Sequence, residues 1–294
     1  MTDQPGCVYV NGEFVPASEA KISVFDAGFI SGHMIFDALS AWQGWIFKLD
    51  THIDRFYRSA HAVRLEIPHS KEEFRDILVE THRRSGLKDS FIECLVTRGA
   101  SSATPPFTTD RTLIIFAIPY RFMVSDDKVE NGSSVIFSRT RNIPFQCIDP
   151  KIKNSNRLHS YMALLEALDA GVDESIMLDM DGHVTEARGA NVFAVKDGTL
   201  YTPGEGILHG ITRLAVLEIA QDSGIETVAT AMTPYDFYNA DEAFFASTAG
   251  GVMPIVRVDG RQVGDGCVGP MSRQIKDAYW HRHVNAPWST PVLV

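Results

Sequence analysis

The chain has 294 residues, 45% hydrophobic and 22% charged, which is enough for two modest domains and a sizeable core. Its net charge of −10 argues against a nucleic-acid or anionic-membrane surface as the main partner. Cys7, Cys94, Cys147 and Cys267 form no Cys-x-x-Cys pair, which argues against a zinc site or disulfide framework and for a reducing cytoplasm.

The first residues carry no basic region followed by an apolar run. No apolar stretch approaches the ~20 residues that span a bilayer, so a cytoplasmic location is expected. Cys7 to Val10 and Glu13 to Pro16 flank Asn11-Gly12, a hairpin signal. Phe36 to Trp42 and Trp45 to Leu49 flank Gln43-Gly44 in the same way. Thr51 to Leu65 has apolar residues at helical spacing: Ile53, Phe56, Tyr57, Ala60 and Val63. Ser70 and Glu73 make a capping box for a helix that ends near Gly86. Ser90 to Thr97 and Thr112 to Pro119 read as strands, with a Ser/Thr/Pro-rich loop between them.

Composition shifts after Tyr120, and Ser125 to Gly132 is polar without periodicity. A first domain of residues 1–121, a linker over 122–132 and a second domain of 133–294 are expected. Ser134 to Thr140 reads as a strand and Tyr161 to Ala170 as a helix stopped by Gly171. Glu174 to Asp179, His183 to Glu186, Asn191 to Val195 and Thr199 to Tyr201 read as short strands with turns at Asp181-Gly182 and Asp197-Gly198. Ile211 to Ser223 is a predicted helix. Thr233 and Pro234 open another. Asp241 to Ala246 and Pro254 to Val258 are predicted strands, and Gly269 to His283 is a closing helix. Strands and helices mix without regular alternation. No Gly-x-Gly-x-x-Gly follows a strand, which argues against a dinucleotide fold.

Lys153 lies in Asp149-Pro150-Lys151-Ile152-Lys153-Asn154-Ser155-Asn156-Arg157, among loop-formers just before a predicted helix. A lysine fixed in a pocket can lose its proton and form a Schiff base with an aldehyde cofactor. Taken alone, it is also what a surface lysine looks like. Glu186 ends a strand before a tight turn at Gly189 and Asn191. There it is either an exposed strand-end acid or a partner for a protonated pyridine nitrogen. Gly210-Ile211-Thr212-Arg213 opens a helix, which is either a simple start or an anion site of backbone N–H groups and a hydroxyl. Ser247-Thr248-Ala249-Gly250-Gly251 lets backbone approach a ligand, or is an ordinary glycine turn. Arg55 either binds a phosphate or pairs with a nearby acid such as Asp54.

The joint order of these stretches resembles the fold-type IV pyridoxal-phosphate enzymes, the class-IV aminotransferase group, from about Val8 to Tyr279. The matching stretches are Asp26-Ala27-Gly28-Phe29, His52-Ile53-Asp54-Arg55, Ile152-Lys153-Asn154, Val184-Thr185-Glu186, Gly210-Ile211-Thr212-Arg213 and Ser247-Thr248-Ala249. The resemblance implies a mixed α/β fold with a small N-terminal α/β domain and a larger pseudo-barrel domain, the cofactor in the cleft. It implies that Lys153 bonds pyridoxal 5'-phosphate and moves the proton, and that Glu186 holds the pyridine nitrogen. It implies too that Arg55, Ile211, Thr212 and Thr248 bind the phosphate. The substrate pocket it implies comprises Phe36, Phe91, Glu93, Arg157, Arg188, Ala249 and Gly250. It also implies a homodimer.

Within the group, the chain is similar to (R)-selective amine transaminases at Phe91-Ile92-Glu93, Thr97-Arg98-Gly99, Ile148-Asp149-Pro150, Lys153-Asn154, Thr248-Ala249-Gly250-Gly251 and Tyr279-Trp280. Branched-chain members carry Tyr-x-Arg where this chain has Phe91-Ile92-Glu93. D-amino-acid members carry Arg-x-His in a loop that here reads Ser101-Ser102-Ala103-Thr104-Pro105-Pro106. Asn156-Arg157-Leu158 is similar to aminodeoxychorismate lyases of the same fold. The expected function is therefore an aminotransferase exchanging an amino group between an amine or amino acid and a keto acid, of the (R)-amine or D-amino-acid type. The rivals are a lyase with the same cofactor, a branched-chain aminotransferase, and a non-enzymatic binding module.

Overall fold

The computed structural model describes residues 6–100 and 110–292; the loop read above over Ser101 to Pro106 lies outside them. The chain divides into two compact units. The first is drawn from Met1–Arg121, Ile152–Asn156 and Arg282–Val294, the second from Phe122–Lys151 and Arg157–His281.

In the first unit, β1 (Cys7–Val10) and β2 (Glu13–Pro16) are joined by Asn11 at φ 48° and Gly12 at φ 105°, the positive pair a tight hairpin needs. Then come α1 (Ala27–Ser31), β3 (Met34–Trp42), β4 (Trp45–Phe47), α2 (Leu49–Ala62), α3 (Lys71–Ser85), β5 (Ser90–Thr97) and β6 (Thr112–Pro119). The Ser70–Glu73 capping box closes in both directions, and Gly86 ends α3 in the left-handed region. The sheet runs C-terminal strand (Ser289–Pro291), β4, β3, β5, β6, β1, β2. Its pairs are antiparallel, so alternate residues face opposite sides. One side carries Ile35, Leu39, Ile92, Cys94 and Val96, which cluster with Phe56, Phe74 and Leu78 of α2 and α3. The other side carries Phe36, Ala38 and Ser40 of β3, opposite Leu95, Glu93 and Phe91 of β5.

The second unit opens on α4 (Asp126–Asn131), inside the stretch expected as a linker. Two aspartates in its first turn suit a helix N-terminus, and Val129 is buried in this unit's core. Next are β7 (Ser133–Arg141), α5 (Leu158–Asp169), β8 (Glu174–Leu178), β9 (Val184–Ala187), β10 (Ala190–Lys196), β11 (Thr199–Pro203) and α6 (Ile211–Asp222). They are followed by β12 (Thr227–Thr230), α7 (Pro234–Tyr238), β13 (Glu242–Ser247), β14 (Gly251–Val258) and α8 (Pro270–His283). Strands β10, β13, β14, β7, β8 and β9 pair in that order, and β9 pairs back to β10, so six strands close into a barrel. This is the pseudo-barrel that the resemblance implies. Closure leaves these strands without an open edge. β11 and then β12 continue outward from β10. Val192, Ala194, Phe245, Met253 and Ile255 supply one buried face. Phe193 and Phe244, cross-strand partners stacked at 4.9 Å, lie at the intervening positions.

Candidate active site

Lys153 is placed by backbone bonds. Its carbonyl accepts from Phe36 N at 3.0 Å, and its N–H donates to Ser59 Oγ at 3.2 Å. Asn154 makes an isolated bridge to Ile35. The lysine is therefore seated beside the start of β3, several residues before α5 begins at Leu158. Its ammonium lies 4.3 Å from the centroid of the Phe36 ring, within cation–π range. Lys151, the other lysine of this segment, is exposed and pairs with Asp149 at 3.1 Å.

Ser59 belongs to a polar stripe on α2. His52, Arg55 and Ser59, at helical spacing, are 2%, 5% and 2% exposed. Arg55 grips Asp37 of β3 with Nε at 2.7 Å and Nη2 at 2.6 Å. Asp54 pairs instead with Lys71, so Arg55 is no surface partner of its neighbour. Burial alone would raise the Asp37 pKa. Arg55 and His52 beside it hold the carboxyl well below the usual carboxylate range. Phe91 and Glu93 lie on the Phe36 side of the sheet, and the Arg121 guanidinium stands 4.6 Å over the Phe91 ring.

In the second unit, Glu186 pairs across β9–β10 with Asn191. Its Oε2 accepts from Asn191 Nδ2 at 3.2 Å and from Leu208 N at 3.0 Å. Asn191 Nδ2 also donates to Leu208 O at 2.9 Å. The carboxylate is thus fixed by β10 and by the approach to α6. That helix starts at Gly210 with no side-chain cap, and Ile211 and Thr212 in its first turn are buried. First-turn N–H groups have no partner within their own helix, so this start suits an anion.

The turn after β13 is tied from both sides. Ser247 Oγ donates to Gly189 O at 2.8 Å and accepts from Ala249 N at 3.2 Å, while Ala249 O accepts from Met123 N at 2.9 Å. Thr248 lies inside this turn, and Gly250 takes a φ of 127°. A Cβ on Gly210 would come 2.0 Å from Asn191 Oδ1, and one on Gly250 2.4 Å from Met253 Sδ. Both glycines therefore mark close approaches that side chains would block.

The two arginines read as substrate ligands behave differently. Arg157 precedes α5 and donates from Nη2 to the carbonyl of Arg188. Asp149 is paired with Lys151, and Glu166 accepts from Arg139 N and from Thr140. Arg188 pairs through Nη2 with Glu174 at 3.2 Å. Burial raises the Glu174 pKa against the pull of Arg188.

The amino-transferase class IV family model matches residues 34–258, which takes in Lys153, Arg55, Glu186 and the α6 start. The chain belongs to the amino-transferase class IV family. Among relatives, it is 37% identical over 289 residues to a putative branched-chain-amino-acid aminotransferase of Methanocaldococcus jannaschii, spanning 97% of this chain and 98% of that protein. It is 33% identical over 275 residues to a D-alanine aminotransferase of Staphylococcus haemolyticus, spanning 92% and 96%. Among solved structures, it superposes at a TM-score of 0.88 on a branched-chain amino acid aminotransferase from Thermobaculum terrenum in its PLP-bound holo form, at 27% identity and 100% coverage of both chains. This class IV chain is an aminotransferase of fold type IV. Class IV aminotransferases use pyridoxal phosphate.

The residues fit that cofactor. Among them are a lysine seated by backbone bonds, a carboxylate fixed through one oxygen, a buried arginine and an uncapped helix start with a buried threonine. Sequence reasoning missed Asp37, Ser59 and the bond from Asn191 to Glu186. The signal for the first two was a polar stripe, His52, Arg55 and Ser59, on a helix face that is otherwise buried.

Proposed function

We propose that this aminotransferase holds pyridoxal 5'-phosphate and exchanges an amino group between an amine or amino acid and a keto acid, with a donor of the (R)-amine or D-amino-acid type. The observation that carries the cofactor reading is the seating of Lys153. Backbone bonds to Phe36 and Ser59 fix its segment against the helix stripe that also carries Arg55.

In this reading Lys153 Nζ would hold the cofactor through its aldehyde, and the same amine would act as the base and acid that moves the proton of the substrate Cα. Glu186, oriented by Asn191 and Leu208, holds the proton on the pyridine nitrogen. Arg55, Thr212, Thr248 and the Ile211 N–H hold the phosphate. When bound, the cofactor supplies the electron sink. Phe36 and Phe91 give the substrate an apolar wall, with Ala249 and Gly250 leaving room for it. Glu93 adds a negative charge beside that wall, which favours substrates without a carboxylate there. Arg157 offers the cation for a carboxylate elsewhere on the substrate.

Lys153→Ala tests the reading: turnover and the visible absorbance of the bound cofactor should both be lost. A variant that keeps a borohydride-reducible bond to the cofactor would move the role to another lysine. The names of the relatives favour a second reading, a branched-chain amino-acid aminotransferase. A panel of D-amino acids, L-amino acids and amines without a carboxylate separates the two by which donors convert the visible band to the pyridoxamine form. Pyruvate release without a keto-acid acceptor would instead mark a lyase.

A homodimer is part of the proposal. Leu158, Tyr161, Met162, Leu165 and Leu168 of α5 are all more than half exposed and share one helix face. An apolar stripe of this kind on a surface favours association. Light scattering that shows an active monomer would overturn it. A cytoplasmic location is proposed from the four free cysteines. Among the described residues no helix is long and apolar enough to cross a membrane.

A further inference from the structure

Asp37 is an acid on the helix-facing side of β3, between the apolar neighbours Ile35 and Leu39 on the same face. It is fully buried. Its Oδ2 accepts from Arg55 Nε at 2.7 Å, and its Oδ1 accepts from Arg55 Nη2 at 2.6 Å and His52 Nδ1 at 2.8 Å. Ala38 N also donates to Oδ1, at 2.7 Å. A carboxylate only accepts, so Nδ1 of His52 carries the proton. Burial lowers the His52 pKa against the pull of Asp37, so the ring is neutral and the single positive charge of the trio is that of Arg55.

A buried ion pair is weak evidence for stability, because apolar residues of similar size often serve the fold as well. This pair does something an apolar pair does not: it fixes a fork. Asp37 takes the side-on edge of the guanidinium, Nε with Nη2. The guanidinium head is thereby held in one orientation against β3, and an arginine whose head is already oriented meets an anion without reorganising.

We propose that Asp37, held by His52, is a positioning residue that sets the Arg55 guanidinium for the cofactor phosphate. The proposal rests on the reading that Arg55 binds that phosphate. It assigns no contact between Asp37 and the cofactor.

The test compares two probes on the cofactor-free protein, pyridoxal 5'-phosphate and pyridoxal. They present the same aldehyde and ring, and only the phosphate differs. The readout is the ratio of their dissociation constants. Arg55→Ala should reduce the preference for the phosphorylated probe by about tenfold or more, the scale of one hydrogen bond to a charged group. Asp37→Asn should reduce it by about tenfold while leaving pyridoxal affinity unchanged. In an Arg55→Ala background, Asp37→Asn should change the ratio no further. If Asp37→Asn does not fold, Asp37→Glu keeps the buried charge but shifts the carboxylate by one methylene, and should lose part of the preference.

Three results would be decisive against the idea. An unchanged ratio in the Asp37 variants beside a reduced ratio in Arg55→Ala overturns the positioning role alone. Equal weakening of both probes in the Asp37 variants reduces the trio to a structural pair and also overturns it. An unchanged ratio in Arg55→Ala overturns the phosphate reading underneath.

Discussion

Replacing Gly210 by alanine is the sharpest probe of how Asn191, Glu186 and the start of α6 are held together in the second unit. Gly210 has φ −64° and ψ 140°, a conformation any residue adopts, so the backbone itself raises no objection. The obstacle is space: the new Cβ would lie 2.0 Å from Asn191 Oδ1 and 3.3 Å from its Cγ. Flipping the amide would only put nitrogen where oxygen was. Either Asn191 turns away, releasing Glu186 Oε2 and Leu208 O, or the start of α6 moves. Overpacking costs about 1–3 kcal/mol, and a hydrogen bond to a charged group is worth about 1.5–3 kcal/mol. A less flexible unfolded chain offsets about 0.4–1 kcal/mol of that. The net expectation is a loss of about 1.5–5.5 kcal/mol, read from the urea midpoint, with weaker pyridoxal-phosphate binding. Gly189→Ala is the control. It is exposed, and its Cβ would meet nothing nearer than Arg157 Nη2 at 3.5 Å, an ordinary contact. Its cost should stay within about 0.5 kcal/mol. A Gly210→Ala protein as stable as wild type, with cofactor affinity intact, would refute this account of Asn191 and Glu186.

Glu186→Gln should retain cofactor but slow the proton transfer by ~10²-fold or more, because a neutral pyridine is a poorer electron sink; single-turnover rates equal to wild type would put the pyridine partner elsewhere. The two arginines should separate by assay. Arg157→Ala is expected to raise KM for carboxylate-bearing substrates by about tenfold and leave neutral amines alone, and equal effects on both would count against it. Arg188→Ala should act on stability, because it strands the buried Glu174 carboxylate at a cost of about 3–5 kcal/mol, read by denaturation. Burial pushes the pKa of His82 and of His283 from 6.5 down to about 4, so the folded form keeps both rings neutral. The unfolded chain binds these protons first. Their stabilisation is therefore full above the unfolded value and is lost as pH falls from 6.5 towards about 4, at up to about 3 kcal/mol each. A urea midpoint that does not drop between about pH 7 and about pH 5 would refute that burial effect.

Chemistry that acts over a few residues was legible in the chain alone. Asn11-Gly12 forms its hairpin because both φ angles must be positive there, and Ser70 with Glu73 caps α3 because donor and acceptor are one turn apart. Ser90–Thr97 and Thr112–Pro119 are readable as strands because short apolar runs, broken in the first only by Glu93, are bounded by turn-formers. The order of the lysine, glutamate and helix-start stretches was legible too, because each is a short motif.

Long-range packing set whatever depends on partners far along the chain. β12 is largely exposed and has no hydrophobic alternation; it exists because β11 offers a parallel edge. Val129 makes α4 part of a core that the polar composition of its stretch conceals. Barrel closure rests on Ala187 and Asn191 meeting their β9–β10 partners, a register no local pattern encodes. Lys153 is anchored by Phe36 and Ser59, each about a hundred residues away. The parity of β3 then sorts adjacent residues to opposite jobs: Phe36 faces the lysine, and Asp37 faces Arg55. A strand turns successive side chains to opposite sides whatever they are, and only the packed sheet and helix determine which side becomes the site.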